Sequence, residues 1–193
     1  MTKKQRYVAA GSVFMGIALF LLYPYLQARL KPITPVPETP VVEGEVAVGE
    51  PNSLKISDLG IEAPIIYITE KNETVYQEAL KQGVVHYPGT ALPGELGNVY
   101  IFGHSSDYTW SGGEYKTVFA RLPQIELGTT IEVTDADGKL FRYIVTETKV
   151  VGPREMSVLD QFNYEKRMLS IQTSYPLGTA LQRYIVVAEL QEE

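Results

Sequence analysis

The sequence predicts an all-β domain whose sheet closes into a barrel, preceded by an N-terminal transmembrane helix. Three observations lead there. Short alternating or continuous apolar runs, bounded by Gly, Pro and Asp, recur from Leu54 to Ala188, whereas helical spacing is confined to brief segments. An uncharged apolar run fills Tyr7–Tyr23. Between run and domain lies a stretch with Pro32, Pro35, Pro37, Pro40 and Pro51 and no apolar periodicity. Many short strands with few helices suit a closed barrel, because closure removes unpaired sheet edges.

The apolar run comes first in the chain. With Pro24-Tyr25-Leu26 it offers about 17 to 20 apolar residues, enough to span a bilayer at about 1.5 Å per residue. Lys3, Lys4 and Arg6 precede it, so the N-terminus is expected in the cytoplasm; Arg29 and Lys31 weaken that asymmetry without reversing it. A cleaved signal peptide would need small residues at its end, and none occurs until Ala28. Residues 1–30 therefore read as a cytoplasmic tip and single-pass anchor, and 31–53 as an extended extracellular linker.

The remainder, 54–193, is the predicted domain. Five of the 17 basic residues and none of the 23 acidic ones precede residue 32, so 12 basic residues face 23 acidic ones beyond it, a net charge of −11. A surface of that sign argues against nucleic acid as a partner. The absence of cysteine excludes disulfides and a thiol nucleophile. No internal repeat, phosphate-binding glycine loop or metal-ligand cluster is present, so neither a cofactor nor a metal is expected.

Leu54–Ile56 and Ile61–Ile68, the latter interrupted by Pro64, read as short strands. Asn72 is a candidate cap for a helix over 73–82, with Val75, Tyr76, Ala79 and Leu80 on one face and Gly83 beyond its end. A loop dense in Pro and Gly, 83–94, leads to a strand over 98–102 and then to Gly103-His104. The Gly-rich stretch 107–113 carries the sole tryptophan, Trp110, and is either a substrate-facing flap or a packed surface loop. A short helix is expected over 117–122, closed by Pro123. Strand 129–134, the turn Asp137-Gly138 and strand 140–151 form a hairpin. In the connection 152–167, Val158, Leu159 and Phe162 fit either core packing or a groove wall.

The last hairpin carries the chemistry. Leu169, Ile171 and Thr173 alternate with Ser170, Gln172 and Ser174 along one strand. Tyr175-Pro176-Leu177-Gly178 ends it, and a second strand runs from Gln182 to Ala188. Ser174 and Arg183 thus come together at one end of the hairpin, either as a reaction site or as an ordinary polar edge.

Two blocks of sequence resemble the sortases, membrane-anchored transpeptidases of bacterial surfaces. His86-Tyr87-Pro88-Gly89-Thr90, Pro93-Gly94, Gly97-Asn98 and Gly103-His104 resemble the segment that ends in the catalytic histidine of that family. Ser170-Ile171-Gln172-Thr173-Ser174 and Arg183 resemble its nucleophile strand and arginine, with serine standing where the family has cysteine. The resemblance covers roughly 54–190 and implies an eight-stranded barrel. It implies His104 as general acid/base, Ser174 in the nucleophile's position, Arg183 as electrostatic stabiliser, and a structural hydrogen bond for His86. It also implies a peptide groove formed by Thr173, Val151, Met156, Val158 and Leu159. Its partners would be an LPxTG-like sorting-signal peptide and an amine acceptor, either a peptidoglycan precursor or a pilin lysine. The alternative reading is a noncatalytic surface module that binds sorting signals.

Overall fold

The computed structural model describes residues 50–106 and 112–192. The expected anchor, its topology, most of the linker and the Trp110 segment lie outside these residues. Among the described residues no helix is long and apolar enough to cross a membrane.

Eight strands form a closed barrel: β1 (Ser53–Ile56), β2 (Ile61–Tyr67), β3 (Val84–His86), β4 (Gly97–Phe102), β5 (Thr130–Thr134), β6 (Leu140–Val151), β7 (Arg167–Tyr175) and β8 (Gln182–Leu190). Their order around the barrel is β1-β2-β3-β4-β7-β8-β6-β5, with β5 closing on β1. Most pairs are antiparallel; β2–β3 and β4–β7 are parallel. One α-helix, α1 (Glu73–Leu80), crosses between β2 and β3. Its Asn72 Oδ1 accepts from the Thr74 N–H at 2.8 Å.

Alternation sets the core. Leu54, Ile56, Val99, Ile101, Ile131, Val133, Tyr143, Leu169, Ile171 and Val186 fill the barrel, with Phe119 and Leu122 from the β4–β5 connection. Burying each such aliphatic side chain contributes roughly 1.5–3 kcal/mol. The outer faces of β4, β7 and β8 are covered too: Tyr100, Met168, Ile185 and Val187 pack with Val158 beneath Tyr87, Val151, Leu159 and Phe162. These strands are buried on both faces, so parts of them read as continuous apolar runs. The twelve-residue β6 bends through a bulge between Val145 and Glu147, which curls it along β8.

Four local expectations need correction. Pro64 does not interrupt β2; it sits where β2 passes from β1 to β3, where a missing donor disturbs the ladder least. α1 stops at Leu80, not Gln82, because the chain must turn into β3, and a Cβ on Gly83 would lie 2.2 Å from the Pro64 carbonyl oxygen. Val84–His86, expected in a loop, is the strand β3; three residues are too few to reveal a period. The helix expected over 117–122 is a 3-10 turn at Leu122–Gln124. Pro123 opens that turn, where its missing N–H is harmless. The connection before β7 carries two 3-10 turns, Ser157–Leu159 and Phe162–Tyr164.

Candidate active site

The parallel pairing of β4 with β7 builds the site. Its register runs from Gly97↔Arg167 to Phe102↔Gln172, so the residues that follow, Gly103-His104 and Thr173-Ser174, lie side by side at one end of the barrel. Two hydrogen bonds extend the pairing beyond the strand: Gly103 N–H donates to the Gln172 carbonyl at 3.1 Å, and Thr173 Oγ1 donates to the Gly103 carbonyl at 3.0 Å. Phe119 N–H donates to the His104 carbonyl at 2.9 Å. Glycine is required at 103, since a Cβ there would meet the Phe119 ring at 2.7 Å.

Across β7–β8, Ser174 lies directly opposite Arg183. Arg183 Nη1 donates to the carbonyls of Ala180 (3.1 Å) and Gln182 (3.0 Å), which hold the guanidinium at the strand entrance. A guanidinium has five N–H donors, and both of these bonds are made by a single nitrogen.

His104, Ser174 and Arg183 line one cleft of about 420 Å³. Its floor is the outer face of β4 and β7, with Tyr100, Phe102 and Gln172. One wall is α1 and Tyr87; the other is the connection carrying Pro153, Glu155, Met156, Val158 and Leu159. Met156 is 63% exposed, whereas Val158 is buried and belongs to both the core and the cleft. Thr173 lines the cleft yet is only 1% exposed, and its hydroxyl is engaged by Gly103. Val151, expected in the groove, is absent from the lining; it pairs with Arg183 in the sheet and packs behind the wall.

Three residues of the site escape motif reasoning. Gln161 fastens the second wall to β4: its Oε1 accepts from the N–H groups of Ala91 (3.3 Å) and Asn98 (3.0 Å), and its Nε2 donates to the carbonyls of Asn98 (3.3 Å) and Leu159 (2.9 Å). A lone glutamine in a connection leaves no spacing signal. Tyr100 and Gln172 do follow a signal, since alternation puts Gln172 on the same strand face as Ser174. Tyr100 Oη donates to Gln172 Oε1 at 2.7 Å.

His86 stands apart from the cleft. It is buried, with Nε2 2.9 Å from the Ala91 carbonyl and 3.1 Å from Thr90 Oγ1. Burial lowers its pKa despite the opposing pull of the Ala91 hydrogen bond. A carbonyl only accepts, so Nε2 carries the proton and the ring serves as a neutral strut. Among the described residues no cluster of His, Asp or Glu is arranged to hold a metal.

The arrangement places an imidazole, a hydroxyl and a guanidinium in the lining of one cleft, side chains suited to acyl transfer. Comparison with known proteins agrees in fold. A family model described as the Sortase domain matches residues 54–191. Sortase D of Bacillus subtilis (strain 168) is 29% identical over 136 residues, spanning 69% of this chain and 60% of that protein, so less than two thirds of the relative is matched. A Sortase D5 transpeptidase of Clostridium perfringens superposes with a TM-score of 0.58 at 27% identity, covering 72% of this chain and 78% of the other. Sortase C-1 of Actinomyces oris superposes with a TM-score of 0.61 at 24% identity, covering 73% of each, a likeness of fold alone.

Proposed function

Because the chain belongs to the sortase family, we propose that it handles sorting-signal peptides at the bacterial surface as a transpeptidase-type domain on an N-terminal membrane anchor. One observation carries this reading: His104, Ser174 and Arg183, distant in sequence, line a single cleft between two walls. In the reaction the nucleophile of residue 174 attacks the carbonyl of the threonine in an LPxTG-like signal. His104 takes the nucleophile's proton and returns it to the departing amine, leaving an acyl-enzyme. Arg183 stabilises the developing oxyanion. An amine acceptor, a peptidoglycan precursor or a pilin lysine, then attacks the acyl group; His104 takes the amine's proton and returns it to the side chain of residue 174 as the acyl bond to it breaks. The uncharged run Tyr7–Tyr23, behind Lys3, Lys4 and Arg6, supports a single-pass anchor with its N-terminus in the cytoplasm.

Serine at 174 favours a second reading, a module that binds the signal without cleaving it. A cysteine with a pKa of about 8.5 ionises readily beside positive charge, whereas a serine hydroxyl needs a base in direct hydrogen-bond contact. The test compares the full-length protein with Ser174→Cys, using a fluorogenic LPxTG-type peptide with hydroxylamine as acceptor. Cleavage by the cysteine form alone supports a sortase site silenced by serine. Cleavage by the natural chain, abolished in Ser174→Ala, establishes a serine transpeptidase. If both forms bind the peptide and neither cleaves it, the binding module replaces the enzyme.

A further inference from the structure

Gln172 lies two residues before Ser174 on the same face of β7, about 6.6 Å along the strand, on the floor of the cleft. Tyr100 beneath it is 2% exposed, and burial keeps its hydroxyl protonated. A buried hydroxyl needs an acceptor for its proton, and the one it reaches is Gln172 Oε1, at 2.7 Å. That bond fixes the carboxamide: the oxygen is committed to Tyr100, so the amino group is turned away from it. Among the described residues this amino group makes no hydrogen bond. Beside it the cleft carries Tyr87, Phe102, Val158 and Leu159 among polar side chains.

An oriented donor on the floor of this cleft calls for a substrate acceptor at a set distance from the reacting carbon. In an extended peptide, carbonyls two residues apart point to the same side, also about 6.6 Å apart. A chain whose reacting carbonyl sits at Ser174 therefore presents its next carbonyl of the same side over Gln172. The direction follows from the walls. Towards Gln172 the cleft is closed on both sides, while beyond Ser174 the strand runs into the loop of Leu177 and Leu181, which are 61% and 70% exposed. The segment retained as the acyl group must sit between the walls, and the leaving portion must depart over the open loop.

We propose that Gln172, aligned by Tyr100, reads the acyl segment of the peptide, donating an N–H to the main-chain carbonyl two residues on the amino-terminal side of the bond to be cleaved. The inference rests on the peptide-handling function above. Binding of an LPxTG-type peptide to the full-length protein in detergent is measured by fluorescence anisotropy, beside a matched peptide in which that one carbonyl is reduced to a methylene. The natural chain should bind the reduced peptide about tenfold more weakly, the worth of one good neutral hydrogen bond. Gln172→Val should bind both peptides equally, at the weaker level. Tyr100→Phe, which leaves Gln172 in place but unaligned, should narrow the discrimination to about threefold while lowering the thermal midpoint by no more than about 3 °C, the loss of one hydrogen bond. If Gln172→Val still discriminates tenfold, the carbonyl is read elsewhere and the proposal is overturned. If the natural chain binds neither peptide, the peptide-handling function fails, and this assignment with it.

Discussion

Gln161→Ala tests whether one carboxamide holds the second wall of the cleft in place. The side chain makes four hydrogen bonds, two near 3.0 Å and two at 3.3 Å. At about 1 kcal/mol for each of the better pair and about half that for each longer one, the sum approaches 3 kcal/mol. Water can reach a half-buried site and recover part of this, so a loss of about 2–3 kcal/mol is expected. For a domain of this size that lowers the thermal midpoint by about 6–10 °C. The wall residues Val158 and Leu159 should loosen from β4, weakening binding of an LPxTG-type peptide. Differential scanning fluorimetry and peptide titration of the same preparation read both effects. A midpoint within 2 °C of the natural chain, together with unchanged affinity, would refute the assignment of Gln161 as the fastening of the wall.

Other consequences are equally direct. Gly103→Ala drives a methyl group against the Phe119 ring, so it should cost about 1–3 kcal/mol in urea denaturation and displace the backbone of His104. Thr173→Val preserves shape but takes the hydroxyl donor from the part-buried Gly103 carbonyl; a loss of about 0.5–1.5 kcal/mol is expected by the same measurement. His86 has a lowered pKa in the folded state because of burial, so the unfolded chain binds protons more readily there. Its contribution is therefore complete above the ordinary imidazole value, near 6.5, and is lost as pH falls through and below it. Urea midpoints between pH 5 and 8 should show this acid loss, and His86→Gln should flatten that part of the profile.

What could be read from the sequence depended on how far apart the determinants lie. The hairpin β5–β6 was legible because Asp137-Gly138 punctuates two long alternating strands, and β6 runs over Leu140–Val151 as expected. The facing of Ser174 and Arg183 followed from a local turn in the same way. β3 was invisible, since its three residues gain their strand conformation from β2 and β4 rather than from a pattern of their own. His104 could be linked to Ser174 only through its motif. The parallel pairing that brings the two segments together is non-local, and no periodicity encodes it. Gln161 was beyond reach, because its value lies in four partners contributed mainly by another segment.

The β4–β7 pairing has a consequence for how this chain tolerates change. The spacing between the histidine and the nucleophile position depends on strand register, not on the length of what joins them. Turns outside the cleft, such as that between β5 and β6, can therefore gain or lose residues without retuning the reaction centre. Within β7 the opposite holds. Deleting a single residue there would turn Ser174 into the barrel interior and bring Thr173 or Tyr175 to the cleft, since neighbouring side chains occupy opposite faces. Inherited variation should accordingly gather in the connections, while the length of β7 between Arg167 and Ser174 admits none.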